Sequence, residues 1–90
     1  MIIFNAAAPL DVKETYLLGL LTGHIHRFDG FCTYFNPCGL VTLIIYRNKD
    51  GNEEICRVEF TQRDLLHLNT TLRFMIRMLN DSFKGGYICR

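Results

Sequence analysis

Apolar and polar positions are patterned most clearly between residues 40 and 60. "LVTLIIYR" (40–47) is dense in β-branched side chains, and "EICRVEF" (54–60) reads as the next strand. Between them "NKDGNEE" places Asp50 and Gly51 where a two-residue hairpin turn needs positive φ. That turn pairs Ile45 with Cys56, Leu43 with Val58 and Val41 with Phe60 on a core side. The opposite side then carries Tyr46 with Ile55, Ile44 with Arg57 and Thr42 with Glu59, a mixed surface. Upstream, "FCTYF" (31–35) reads as another strand, joined to the hairpin by the turn residues "NPCG" (36–39). These segments predict a three-stranded antiparallel meander.

On either side the period lengthens to that of a helix. Leu10, Leu17, Leu21 and Ile25 make one apolar stripe; Pro9 suits the first turn, and Asp11 and Glu14 follow where the helix dipole favours acids. This helix is expected over about 10–23, ending at Gly23. After the meander, Thr61 and Asp64 have the spacing of a cap and its acidic third residue, so a second helix is expected from there to about Asp81. "MIIF" and "YICR" are short and β-prone, suited to terminal strands. The reading is α+β in two layers, in the order helix, meander, helix. The 90 residues are expected to form a single compact domain, 1–90.

Composition narrows the function. Apolar residues make up 49%, enough for a core, and ten basic against nine acidic residues leave a net charge of +1, far from the excess that phosphate neutralisation favours. The longest apolar run, "YLLGLL", falls short of the roughly 20 residues that span a bilayer, and the N-terminus lacks a basic start, so no membrane association and a cytoplasmic location are expected. The four cysteines, Cys32, Cys38, Cys56 and Cys89, could form two disulfides in an oxidising compartment, with three possible pairings; in a reducing cytosol they are expected to be free thiols, mostly buried.

Chemistry-bearing residues do not converge on a reaction. His24, His26, Cys32 and Cys38 are zinc-binding types, but their spacing differs from the usual pairs two to four apart, which leaves only a small zinc-stabilised domain as an outside reading. Cys, His and carboxylates occur at no spacing that favours a catalytic triad, and "KGG" lacks the flanking residues of a phosphate loop. Neither catalysis nor a cofactor is expected.

The distinctive stretch is "TTLRFMIRML" (70–79). Placed at 100° per residue, Leu65, Leu68, Leu72, Met75, Ile76 and Leu79 supply the core stripe. Phe74, Met78 and Leu66 fall on the other side among Arg63, His67, Thr70, Arg73 and Arg77. Aromatics, Met and Arg are enriched where proteins meet, whereas Lys and Glu, common on wet helix faces, are missing from this stretch. The expected function is a stand-alone interaction module that blocks or modulates a protein or ribonucleoprotein complex, of the kind phage-encoded inhibitors of bacterial defence systems exemplify. The same pattern also fits a helix buried on two sides, with Phe74 and Met78 packed under the C-terminal tail or the first helix, and homodimerisation through this face is a further outcome. Direct nucleic-acid binding by Arg63, Arg73, Arg77 and a stacking Phe74 is the alternative, and Ile44, Tyr46, Ile55 and Arg57 form an alternative partner surface.

Overall fold

The computed structural model describes residues 1–22 and 28–82. Among them the order is β1 (Ile2–Phe4), α1 (Leu10–Thr22), β2 (Gly30–Phe35), β3 (Val41–Tyr46), β4 (Glu54–Phe60), α2 (Gln62–Leu66) and α3 (Thr70–Ser82). The class is α+β, but the sheet is four-stranded and mixed, in the order β1-β4-β3-β2. The expected meander forms its antiparallel part. β1 adds to its β4 edge in parallel, Ile2 opposite Cys56 and Phe4 opposite Val58. Three residues are too few to show a period, so the pattern could suggest this strand but not its direction or partner.

The hairpin register holds for most of its length: Val41 faces Phe60, Leu43 faces Val58, Ile45 faces Cys56 and Ile44 faces Arg57. It then slips, because Tyr46 pairs with Glu54 and not with Ile55. The turn is correspondingly wider than two residues. The Arg47 N–H reaches the Glu53 carbonyl at 2.8 Å, and Gly51 takes the left-handed conformation, φ +72°. The extra residue forms a β-bulge that turns Ile55 toward the helices, where it joins the main core.

That core lies between one sheet face and the helices. Leu17 and Leu20 of α1 pack with Leu43, Ile45, Val58 and Phe60 of the sheet and with Leu68 and Leu72 of the helical arm. Burying each such side chain contributes about 1.5–3 kcal/mol. The other sheet face is also buried at its centre, where Cys32, Ile44 and Tyr46 cluster with Tyr34 beside them. Among the described residues, no helix is long and apolar enough to cross a membrane.

The second helix is not continuous. It breaks between Leu66 and Thr70 into α2 and α3, because Asn69 competes for the backbone: its Oδ1 accepts from the Leu72 N–H at 3.2 Å, making it the cap of a new helix. The capping box at Thr61 forms as its spacing predicts, with the Asp64 N–H donating to Thr61 Oγ1 and the Thr61 N–H to Asp64 Oδ2, both at 3.0 Å.

Candidate functional site

The α2–α3 elbow is fixed from both sides. Glu14 of α1 accepts from the Asn69 N–H through Oε2 at 2.6 Å. Arg73, one turn into α3, donates through Nη2 to the carbonyls of Leu65 at 2.9 Å and Leu68 at 3.3 Å. These carbonyls lack helical partners once α2 ends, so Arg73 caps the shorter helix. This duty was not foreseen in the sequence, where Arg73 had only a partner-facing role. A continuous helix has no free carbonyls at 65 and 68.

Asp64 has a second unforeseen partner. Its Oδ2 lies 2.9 Å from the Nζ of Lys13, a lysine with no exposed surface, whose ammonium also donates to the Ala6 carbonyl at 3.3 Å and sits 5.5 Å from the Phe60 ring centre. Burial alone would raise the Asp64 pKa; the Thr61 N–H and the Lys13 ammonium outweigh it and hold the carboxyl below its ordinary range. The signal was a lysine at the core position between Leu10 and Leu17.

From this elbow α3 projects as a ridge. Leu72 is fully buried, Ile76 and Leu79 are half-buried against the core, and Met75 is half-buried on the α1 side. Phe74 is 62% exposed, Met78 56% and Leu66 79%. Arg63, His67, Thr70, Arg73 and Arg77 are exposed as well, so the eight residues singled out by the helical pattern share an accessible arm. Two hollows of about 280 Å³ flank the ridge. One opens between the sheet and the elbow, lined by Leu43, Phe60, Leu65, Leu68 and Ile76, with Arg73 beside it. The other lies on the α1 side, between Leu21, Phe28, Met75, Met78 and Leu79.

The sheet surface centred on Ile44 is different. Ile44 and Tyr46 are buried, Ile55 has moved to the main core, and Arg57 is half-buried in a two-pronged ion pair with Glu54 at 3.1 and 2.7 Å. The Glu54 hydrogen bond chiefly raises the Arg57 pKa.

Of the zinc-type residues, His24 and His26 lie outside the described residues. Cys32 is buried and Cys38 exposed in the β2–β3 turn. The expectation of free thiols is corrected at Cys32, which is disulfide-bonded and so offers no thiolate as a ligand, while Cys38 and Cys56 are free and Cys89 lies outside the described residues. Among the described residues no three His, Cys, Asp or Glu side chains come together as a metal site. No family model, curated protein or solved structure matches the chain significantly.

Proposed function

We propose that this chain is a protein-interaction module that seats the α3 ridge on a larger macromolecular complex and blocks or modulates it. The observation that carries the reading is the exposure of Phe74 and Met78 on a helix whose core side is already supplied by Leu72, Ile76 and Leu79. Two large apolar side chains left largely in water one turn apart gain roughly 1–2 kcal/mol each on burial of what remains exposed. They stand beside the exposed Arg77 and between two apolar hollows, which is the mixture of anchor, pocket and guanidinium typical of interface centres. Inhibitors of bacterial defence complexes remain the class of activity to test first.

The test is affinity capture from the source cell or its host, after nuclease treatment, with wild type and a folded Phe74→Glu, Arg77→Glu variant. The expected result is a protein partner retained by the wild type and lost by the variant. A partner kept by the variant, or one that disappears with nuclease, overturns the reading; the second outcome moves it to nucleic acid.

A further inference from the structure

The hollow on the sheet side of the ridge has features beyond its size. It runs from Leu43 and Phe60 on the sheet to Leu65, Leu68 and Ile76 on the elbow, and its volume of about 280 Å³ exceeds the ~150 Å³ that admits a benzene-sized group. Arg73 lines the same hollow. Its Nη2 is held by the Leu65 and Leu68 carbonyls, which orients the guanidinium, while Nε and Nη1 bond no described residue. An oriented guanidinium with spare donors beside an apolar hollow suits a carboxylate attached to an apolar group.

Charge along the arm points the same way. Arg63, His67 and Arg77 are exposed around the elbow and ridge. Of the nearby carboxylates, Asp64 is neutralised by Lys13, and Glu14, which accepts from the Asn69 N–H, stands on α1 and is outnumbered by Arg63, Arg73 and Arg77. The only acid on α3 is Asp81, at its far end. The arm therefore repels a basic partner and attracts an acidic one.

We infer that this hollow is the socket for one bulky apolar side chain of a partner polypeptide, next to an aspartate or glutamate that meets Arg73. The inference rests on the reading of the ridge as a protein interface and specifies the partner's chemistry. A polypeptide seated on Phe74 and Arg77 brings its neighbouring side chains to the mouth of the hollow, since Arg73, which lines it, lies one helical turn from Arg77 on α3.

The experiment pans a random twelve-residue peptide library displayed on phage against the full chain. Enriched peptides are then titrated against the wild type and against Ile76→Phe, which fills the hollow, and Arg73→Met, each checked for an unchanged melting temperature. Enriched peptides should share a Leu, Ile, Phe, Met or Trp beside an Asp or Glu. Alanine at that apolar position, and Ile76→Phe in the protein, should each weaken binding at least tenfold, and added salt should weaken it further. Because Arg73 also caps α2, Ile76→Phe keeps the test decisive if Arg73→Met melts early.

Enrichment of basic or uncharged peptides, binding indifferent to Ile76→Phe, or no enrichment overturns the proposal. So does concentration-dependent dimerisation abolished by Ile76→Phe, which gives the hollow to a second copy. Saturable binding of octanoate with no peptide enriched overturns it in favour of a small carboxylate. If peptides avoid the hollow while capture still depends on Phe74, the interface stands and only the socket falls. If peptides fill the hollow but capture ignores Phe74 and Arg77, the ridge reading falls.

Discussion

The Nζ of Lys13 and the Oδ2 of Asp64 lie 2.9 Å apart, with the lysine side chain fully buried and the aspartate 16% exposed. The pair joins α1 to the start of the arm that carries the ridge, and the same carboxylate closes the α2 capping box. One residue therefore holds both the end of a helix and the charge of a lysine that has no access to water.

The two halves of the pair should fail unequally. Asp64→Ala leaves the Lys13 ammonium buried against the Ala6 carbonyl and the Phe60 ring alone, and removes the cap as well. A loss of about 3–5 kcal/mol is expected. Lys13→Met replaces the stem with an apolar chain of similar shape and leaves Asp64 its Thr61 hydrogen bonds and some contact with water. Its cost should stay below about 1.5 kcal/mol. Urea unfolding of both variants checks the order, and a costlier Lys13→Met refutes this account of the pair.

The same carboxylate sets an acid limit. Its folded pKa is below the ordinary 3.8 because the Thr61 N–H and Lys13 outweigh the effect of burial. The sign follows from linkage: the folded state favours the ionised form, so this contribution is complete above the unfolded pKa and is lost as pH falls through the folded one. Unfolding free energy measured at intervals from pH 6 to pH 3 should fall below about pH 4, and Asp64→Asn should flatten that part of the decline. An equally steep decline in the variant assigns the acid sensitivity to other carboxylates.

The cysteines should separate by reactivity. Burial pushes the Cys56 thiol up to about 11, with the Tyr16 hydroxyl and the Ile45 backbone lowering it only in part. Cys38 is exposed, and Cys32 is disulfide-bonded. Iodoacetamide at pH 8 followed by peptide mass mapping should therefore modify Cys38 in the native protein, Cys56 only after unfolding, and Cys32 only after reduction. Native labelling of Cys56 would place its thiol at the surface.

What the sequence made legible follows the reach of each signal. The β3–β4 register from Val41 to Ile45 and the Thr61 cap depend on residues close in the chain, and both appear where the pattern put them. The bulge at Ile55 depends on one extra residue, and its mark in the sequence is the adjacent apolar pair Ile55 and Cys56, where the alternation breaks. The break at Asn69 was visible in kind, since "LNTTL" offers a good cap and poor helix formers, yet the apolar stripe runs through it and favours one long helix. Lys13 with Asp64 and Glu14 with Asn69 join residues more than 50 positions apart, and no local pattern encodes such a pair. The exposed arm was legible because its apolar residues are more than one core face can use.

The contrast between Leu72 and Phe74, two positions apart on α3, tests whether that surplus serves a partner. Leu72 is fully buried and Phe74 is 62% exposed. Leu72→Ala should cost about 2–5 kcal/mol because it opens a cavity in the main core. Phe74→Glu should leave stability within about 0.5 kcal/mol of wild type, since the ring gives up little packing in the isolated chain. Asn69→Ala should fall between them, at about 1 kcal/mol, through loss of the α3 cap. Thermal and urea unfolding of the three variants measures this order, and partner capture by the stable Phe74→Glu protein then separates the two uses of an apolar residue. A variant that folds as wild type but binds nothing assigns Phe74 to an interface; one that unfolds like Leu72→Ala assigns it to the core.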